Sequence, residues 1–379
     1  MSAPAQRRPD RAAELAVADA VWDGTPTPTG PLDLIYVLPH HAVTGGMKVL
    51  LEHIRHLRAR GHRVRAAYRG PEGRAIPAWS DVRCDGEIVN PSDTALGPRL
   101  GGADAVVVGW YQSIPECLGA ASPLVSFEQG HEVLFGDVRE DEAWRRSARQ
   151  FEEVMRLPVP VAAVSPHVAT LLRARFGRRC AVWPNGIDLE RFRPEPRPPG
   201  QRILLVGHPG LAFKGFRTAV EALERVWRAG ARFEVTWMSQ EPVTLDNAPF
   251  PFVNRVSPPQ DEVPAIYRAH DLLLFTSWYE AFALPPLEAM ASGVPVVATQ
   301  CGGITTFATG GHDAVLCPVG DATALARAVL AVLADPDAAR LLAERGRAAA
   351  ERFSWERTID AVEDGLRQVA ARRRSGRRA

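Results

Sequence analysis

The stretch LDLIYVLPHHAVTGGMKVLLEHIRHLRARGH, residues 32–62, decides the fold class of this protein. It opens on a short apolar run and passes through a loop that ends in two glycines. Apolar residues then recur at helical spacing, at Met47, Leu50, Leu51, Ile54 and Leu57. The stretch therefore predicts a β-strand, a glycine-bearing loop and an α-helix, which is the repeating unit of parallel α/β proteins.

The same alternation continues along the chain. Short β-rich runs follow as RVRAAYR, AVVVGW, PLVSFE and PVAAVS, and residues 184–201 then hold five prolines and two glycines, which suits a linker. Beyond the linker, the strand, loop and helix unit begins again in RILLVG, HPGLAFKG and FRTAVEALERVWRAG. Further strands are predicted at FEVTWMS, FPFVNRV, DLLLFTS, VPVVAT and DAVLCP. The pattern predicts two doubly wound α/β domains facing each other across a cleft, with ligands beyond the carboxyl ends of the strands.

Composition excludes several classes of protein. The 45 basic and 44 acidic residues nearly cancel, so bulk charge gives no argument for nucleic-acid binding. Five scattered cysteines contain no CxxC pair, which argues against a disulfide framework and a structural zinc site and favours a reducing cytoplasm. No apolar run approaches the roughly 18 residues of a membrane span, and the N-terminus lacks the apolar core of a signal peptide.

Two carboxylates mark a candidate site in WYEAFALPPLEAMASG, residues 278–293. Glu280 follows the predicted buried strand DLLLFTS, and Glu288 falls in the first turns of a helix whose start is marked by Pro285 and Pro286. The pair is compatible with an acid/base pair, a metal site, a sugar clamp or simple capping of the helix.

Two glycine loops are candidates for anion binding through their backbone amides, and an ordinary strand-to-helix turn is the alternative. In LLVGHPGLAFKG, His208 and Lys214 add positive charge, although neither the P-loop nor the dinucleotide fingerprint is present. Gly45 and Gly46 offer the same geometry in the first half. His40 and His41 are candidates for ligands, acids or plain polar loop residues, and the lack of a third ligand at usable spacing argues against a metal.

Taken together, these motifs resemble the retaining, nucleotide-sugar-dependent glycosyltransferases of the GT-B fold, family 4. The resemblance consists of the E-x7-E element, WPNGIDLERFRP, the VG…KG loop, the first-half GG, SGVPVVAT and FSW, in order over about residues 32–356. With it, the chain is predicted to hold an acceptor-side Rossmann-like domain at 31–184, a linker at 185–200, a nucleotide-sugar-binding Rossmann-like domain at 201–355 and a terminal helix at 356–371 that crosses back to the first domain. Composition alone predicts a flexible leader at 1–30, with room for a short helix, and a basic tail at 372–379.

The resemblance also implies roles for individual residues. Glu288 would bind the ribose hydroxyls, Glu280 the hydroxyls of the transferred sugar, and Lys214 the diphosphate. The backbone at Val256 and its neighbours would read the base, and further donor contacts would come from Gly45, Gly46, His208, Phe282, Ala283 and Leu284. No metal or other cofactor is expected, because fixed cations and amides can stabilise the charge on the leaving diphosphate.

Catalysis is predicted to proceed by same-face attack rather than through a covalent intermediate. Glu280, Lys214 and His131 are the predicted catalytic residues. His131 comes from SFEQGHEVLFGD (residues 126–137), where Glu128, Gln129 and Glu132 are also candidates for the donor sugar. The acceptor is unknown, and the candidates on its side are His40, His41, Trp110, Gln129 and Glu132.

The sequence departs from the family pattern at several positions. His208 stands where an arginine is usual, Ala281 and Ala283 replace glycines, and Thr305 and Thr306 lie near a position often held by glutamate. The last residues, ARRRSGRRA, are interpreted as a solvated tail, with weak contact to anionic lipid at the inner face of the membrane as the alternative. A nucleotide-sugar epimerase or hydrolase on the same fold and a non-catalytic sugar-nucleotide sensor are the rival functions, and the oligomeric state is left open.

Overall fold

The computed structural model describes residues 11–24, 29–90, 95–137, 141–196, 200–245 and 248–376 of the 379-residue chain, with side chains from 12 to 371 within those ranges. Contacts divide the chain into two compact units. The first consists of Met1–Pro184 together with Thr358–Ala379, and the second of Asn185–Arg357.

The first unit is built on a seven-stranded sheet in which every pair of neighbouring strands is parallel. Its order is β3-β2-β1-β4-β5-β6-β7. The strands are β1 (Asp33–Leu38), β2 (Arg63–Tyr68), β3 (Glu87–Val89), β4 (Ala105–Val108), β5 (Leu124–Glu128), β6 (Val161–Ala163) and β7 (Cys180–Val182). The α-helices are α1 (Arg11–Asp19), α2 (Gly45–Ala59), α3 (Ile114–Cys117), α4 (Glu142–Met155) and α5 (Pro166–Phe176).

The second unit carries a six-stranded parallel sheet in the order β10-β9-β8-β11-β12-β13. Its strands are β8 (Arg202–Val206), β9 (Glu234–Ser239), β10 (Phe252–Val256), β11 (Leu272–Phe275), β12 (Val296–Thr299) and β13 (Val315–Cys317). Its helices are α6 (Phe216–Arg228), α7 (Val263–Arg268), α8 (Leu284–Ala291), α9 (Ala322–Ala334) and α10 (Pro336–Ala350), and α11 (Trp355–Gly376) follows.

The predicted alternation of strands and helices is confirmed in both units. The central strands are buried on both faces, as β4, β11 and β12 show along their whole length, because helices cover both sides of a parallel sheet. The sequence analysis missed β3 and β7, which are three-residue edge strands and only partly buried. Their apolar runs are too short to stand out from the surrounding turns.

The strand order reverses direction at one place in each sheet. In the first unit this switch point lies between β1 and β4, and in the second between β8 and β11. Loops that leave two adjacent strands there diverge to opposite sides of the sheet and leave room for a ligand at the carboxyl edge. The loops after β8 and β11 carry Lys214 and Glu280, so the second switch point positions the candidate site.

The C-terminal helix α11 returns to the first unit, as expected. Gly365 lies so close to the indole of Trp183 that a Cβ added there would be 2.4 Å from Trp183 Nε1. Glu363 accepts hydrogen bonds from Arg60 at 2.9 Å and from Arg367. Burial alone would raise the pKa of Glu363, but these hydrogen bonds lower it to about 2, so the carboxylate stays charged and holds the helix in place.

The segment predicted as a flexible leader contains α1, which is tied to the first unit by a buried ion pair. Asp19 is 3% exposed and accepts three hydrogen bonds from the Arg178 guanidinium, the shortest at 2.7 Å. Arg178 also donates to the carbonyls of Met155, Leu157 and Val159, which are 2.9, 3.1 and 2.5 Å away. The sequence pattern of the leader does not predict this ion pair, because Arg178 lies 159 residues away from Asp19.

Within the described residues, no helix is both long enough and apolar enough to cross a lipid bilayer.

Candidate active site

Two loops of the second unit meet at its switch point. After β8 the chain makes a 3-10 turn over Ala212–Lys214 and enters α6 through Gly215, which has φ 66°. A Cβ on Gly215 would lie 2.1 Å from the carbonyl oxygen of Thr276 in the loop after β11. Glycine is therefore required here both for the left-handed backbone and for the close approach of the two loops.

Hydrogen bonds lock these two loops together. Thr276 Oγ1 donates to the Lys214 carbonyl at 3.0 Å, and Trp278 N donates to the Phe213 carbonyl at 2.6 Å. The ring of Phe213 stacks on that of Tyr279 with centroids 4.7 Å apart, and Lys214 Nζ lies 5.1 Å from the Phe213 centroid. The lysine side chain is thus held over the loop that carries Glu280.

Lys214 and Glu280 form an ion pair at the centre of the site. Lys214 Nζ donates to Glu280 Oε1 at 2.7 Å, and Ser277 Oγ donates to the same oxygen at 2.7 Å. The two charged side chains are only 19% and 15% exposed, so their interaction is screened less than that of a surface pair. Among the described residues no hydrogen bond reaches Glu280 Oε2, and a lysine ammonium has three donors, so both groups keep capacity for a ligand.

The backbone of Glu280 is fixed as firmly as its side chain. Glu280 N donates to the Cys301 carbonyl at 2.9 Å, and Gly303 N donates to the Glu280 carbonyl at 2.9 Å. These bonds join the loop after β11 to the loop after β12. The carboxylate is therefore positioned before any ligand arrives, which is what a binding or catalytic group requires.

Glu288 is held separately, on α8. The phenol of Tyr267, on α7, donates to Glu288 Oε2 at 2.6 Å. Tyr267 is fully buried, and this burial, reinforced by the charge of Glu288, raises its pKa well above the usual range, so it remains a donor. The structure therefore places the two glutamates of the E-x7-E element in different hydrogen-bond networks, one with a lysine and one with a tyrosine.

Both ring nitrogens of His208 contact residues of the second unit. Gly210 N donates to His208 Nδ1 at 3.0 Å, and His208 Nε2 lies 3.4 Å from Glu241 Oε1. The imidazole is therefore turned toward an acidic residue of the same unit. An arginine keeps its positive charge at every physiological pH, whereas a histidine side chain is cationic only when it is protonated.

The remaining donor-side candidates of the second unit are residues whose backbone groups, more than their side chains, are predicted to contact a donor. The ring of Phe282 is buried and lies 5.5 Å from that of Phe307, and Leu284 is the first residue of α8. Val256 ends β10 with 43% of its surface exposed and is followed by Ser257 at φ 43°. Their assigned contacts with a donor stay predictions.

Ala283 is strained, and its neighbour Ala281 is a matched control. Ala283 has φ 73° and ψ 67°, a left-handed conformation that costs an L-residue about 1–2 kcal/mol. We expect Ala283→Gly to raise the free energy of unfolding by about 0.5–1 kcal/mol, after allowance for the flexibility that glycine adds to the unfolded chain. Ala281 has no positive φ, so Ala281→Gly should lower it instead. Chemical denaturation of both variants checks the prediction, which fails if the two changes have the same sign.

In the first unit, the candidates follow the carboxyl ends of three neighbouring strands. His40 and His41 follow β1, Trp110 follows β4 and Gln129 follows β5. The Gln129 amide packs on Gly46, where an added Cβ would lie 3.3 Å from its Oε1 and Nε2. Gly45 begins α2, whose N-cap Thr44 accepts from Met47 N at 3.2 Å. Burial lowers the pKa of His40, which favours its neutral form.

His131 is packed into the first unit through its ring and both ring nitrogens. Its Nδ1 accepts from Val133 N at 3.2 Å, and its Nε2 lies 3.3 Å from Ser147 Oγ. Its ring stacks on Phe151 with centroids 4.6 Å apart. His131 caps the 3-10 turn that begins at Glu132, so a contact with a donor sugar would require one of these bonds to be exchanged. The catalytic role assigned to His131 stays a prediction.

Glu128 is a buried acid at the end of β5, and burial raises its pKa to about 7 from the usual 4.5. Gly130 N donates to its Oε1 at 2.8 Å. Because the folded state binds this proton more tightly than the unfolded state, the stabilising contribution is complete below pH 4.5 and is lost as the pH rises through 7.

We therefore expect the wild type to lose stability relative to Glu128→Gln between pH 4.5 and pH 7, by on the order of 3 kcal/mol. Urea denaturation of both proteins at pH 5, 6, 7 and 8 measures the difference. Glu153→Gln removes an exposed carboxylate from α4 and serves as the control. Parallel pH profiles for the wild type and Glu128→Gln would refute the assignment.

Sequence reasoning missed Ser277 and Tyr267. Ser277 lies three residues before Glu280, and Tyr267 lies on a six-residue helix 21 residues before Glu288. A serine or a tyrosine does not by itself indicate a ligand site, and only the fold brings these hydroxyls to the carboxylates. In the described part of the chain, no group of three or more His, Cys, Asp or Glu is placed to hold a metal ion.

The fold and this site define a class: a protein of two parallel α/β units, with a lysine–glutamate pair at the switch point of the second. Residues 200–335, within that unit, match the family model described as glycosyl transferases group 1. The recognition made from the motifs is thus confirmed for the part of the chain that holds the candidate site.

Individual relatives agree with this family. The chain is 32% identical over 212 residues to the D-inositol 3-phosphate glycosyltransferase of Saccharomonospora viridis, covering 49% of each chain. It therefore spans about half the length of this curated relative.

Solved structures show the fold. The sucrose-phosphate synthase of Thermosynechococcus elongatus superposes with a TM-score of 0.74 at 19% identity, over 90% of this chain and 100% of that one. Anabaena HepE in complex with UDP-glucose superposes with a TM-score of 0.69 at 17% identity, over 88% of this chain and 98% of that one. The predicted fold class, two Rossmann-like units of the GT-B kind, is confirmed.

Proposed function

We propose that this protein is a glycosyltransferase that moves a sugar from a nucleoside-diphosphate sugar to a hydroxyl of an acceptor. The observation that carries the proposal is the Lys214–Glu280 pair, in which Ser277 shares the carboxylate oxygen. It joins a fixed cation to a hydroxyl-accepting carboxylate at the point of the sheet where this fold binds ligands. The match of residues 200–335 to group 1 glycosyl transferases and the UDP-glucose bound to HepE support the same conclusion.

In the proposed reaction three side chains bind different parts of the donor. Glu280 accepts hydrogen bonds from hydroxyls of the transferred sugar through its second oxygen, and Glu288 accepts from the ribose hydroxyls. Lys214 donates to the diphosphate while it keeps Glu280 in place. As the anomeric bond breaks, negative charge grows on the diphosphate, so a cation fixed beside it stabilises the transition state more than the ground state.

We propose that transfer retains the configuration of the anomeric carbon. The acceptor oxygen attacks on the face that the diphosphate leaves, the bond from the anomeric carbon to the phosphate oxygen breaks, and that phosphate oxygen takes the acceptor proton. Glu280 and Glu288 lie in separate networks, with Lys214 and with Tyr267, which suits two binding groups better than a nucleophile and acid acting on one bond. No metal is required, because Lys214 and backbone amides take its electrostatic role.

We propose a cytoplasmic enzyme whose acceptor is a glycan, a lipid-linked sugar or a small molecule. The predicted membrane contact involves the arginines at 372–374, 377 and 378, whose side chains lie outside the described residues. A donor-by-acceptor screen read by mass spectrometry would identify the substrates.

The two lysines of this chain permit a direct test of the donor site. The sequence contains only Lys48 and Lys214, in the first and second units. Amine-reactive labelling, read by mass spectrometry, should show that UDP-sugars, GDP-sugars or ADP-sugars protect Lys214 while Lys48 serves as the internal reference. Failure of all three donor types to protect Lys214 would contradict the proposal. NMR of the products separates transfer from the rival reactions, since an epimerase changes the sugar and forms no glycoside.

A further inference from the structure

The proposed reaction assigns no role to the phenol of Tyr267, which lies in the second unit. Tyr267 lies on α7, is 0% exposed and therefore cannot touch a ligand itself. Its hydroxyl nevertheless points at Glu288 Oε2 and donates to it at 2.6 Å. A bond of this length from a hydroxyl to a carboxylate is charge-assisted and stronger than a bond between neutral groups.

The ring that carries this hydroxyl is held in place by packing. Tyr267 contacts Phe192 edge to face, with centroids 5.9 Å apart. Phe192 is itself fixed, because its carbonyl accepts from Arg347 at 2.7 Å, and the same arginine nitrogen donates to the Ala291 carbonyl at the end of α8 at 2.6 Å. The tyrosine and the helix that bears Glu288 thus share one rigid support.

We propose that Tyr267 is a positioning residue, which sets the orientation of the Glu288 carboxylate for the ribose hydroxyls of the donor nucleotide. The inference rests on the proposed function, in which Glu288 binds the ribose. A glutamate side chain has three rotatable bonds. A hydrogen bond to one carboxylate oxygen restricts rotation about these bonds and so sets the direction in which the other oxygen points. Loss of the phenol would remove the hydrogen bond that Tyr267 donates to Glu288 Oε2, and with it this constraint on the orientation of the carboxylate.

The test pairs a protein change with a ligand change. We expect Tyr267→Phe to weaken the binding of UDP by about tenfold, the effect of losing one hydrogen bond to a charged group. Binding of 2′,3′-dideoxy-UDP should be unchanged by the same substitution, because that ligand offers Glu288 no ribose hydroxyl. Isothermal titration calorimetry measures both affinities, with GDP and ADP and their dideoxy forms titrated in parallel.

A matched control separates positioning from packing. Tyr36 is also 0% exposed, and its hydroxyl lies 3.5 Å from His53 Nδ1 in the first unit, so Tyr36→Phe removes a buried phenol that has no link to Glu288. It should leave both affinities unchanged. An equal loss for UDP and its dideoxy form in Tyr267→Phe, or no loss for either, would overturn the positioning role while leaving the proposed function intact. If the wild type binds none of the three diphosphates, both the proposed function and this inference fall.

Discussion

Replacing Lys214 with methionine lowers kcat/KM for sugar transfer by about 10²–10³-fold, the loss that follows removal of one preorganised group from a developing negative charge. Methionine keeps most of the length and the apolar stem of lysine, and it removes the ammonium group with its charge and its hydrogen bond to Glu280. The loss should appear mainly in kcat, because the cation acts most strongly on the charge of the departing diphosphate. Steady-state kinetics with the donor found in the screen measure it.

The control for this experiment comes from the same unit. Arg228 ends α6, the helix that follows Lys214, and its side chain is 69% exposed in a pair with Glu224. Arg228→Met removes one positive charge without altering the switch point, and it should retain wild-type kinetics. If Lys214→Met turned over donor at the wild-type rate, the diphosphate role of Lys214 would be wrong, and Glu280 would have to be reassigned with it.

Replacing Asp19 with alanine lowers the free energy of unfolding by about 3–5 kcal/mol, the cost of removing one partner from a buried ion pair. The variant leaves the Arg178 guanidinium, which is 1% exposed, without its counter-charge. The carbonyls of Met155, Leu157 and Val159 still accept from Arg178, but they cannot neutralise it. Urea denaturation followed by circular dichroism measures the change.

A second acidic residue in the same segment shows what an exposed pair contributes. Asp23 pairs with Arg179 at 2.7 Å, and both side chains are about half exposed. Solvent screens such a pair, so Asp23→Ala should change stability little. Equal effects of the two substitutions would mean that the Asp19–Arg178 pair is not buried in solution.

The local pattern of the sequence predicted most of the fold. Strands such as β4 and β11 are short apolar runs bounded by turns, and α9 ends just before Asp335, which caps α10 at Pro336. These features depend on neighbouring residues, so they can be read along the chain. The edge strands β3 and β7 were not predicted, because their stability comes from pairing with β2 and β6 and hardly from their own composition.

The candidate site was predicted in outline, with its residue types and its place at the carboxyl edge of the second sheet. Lys214 and Glu280 were both named from the motifs, but their 2.7 Å contact joins residues 66 positions apart. Ser277 and Tyr267 were not named, because a hydroxyl acquires a role only from the group it reaches. His131 was named, and the structure shows its ring hydrogen-bonded and stacked within the first unit.

The sequence by itself determined two parallel α/β units, their glycine loops and the two glutamates that follow a buried strand. Only the tertiary structure decided that Glu280 pairs with Lys214, that Glu288 pairs with Tyr267 and that Asp19 anchors α1 through Arg178. The reason is physical. Secondary structure follows from periodic burial and backbone preference over a few residues, whereas the environment of a charge is set by side chains that the fold brings together from distant parts of the chain.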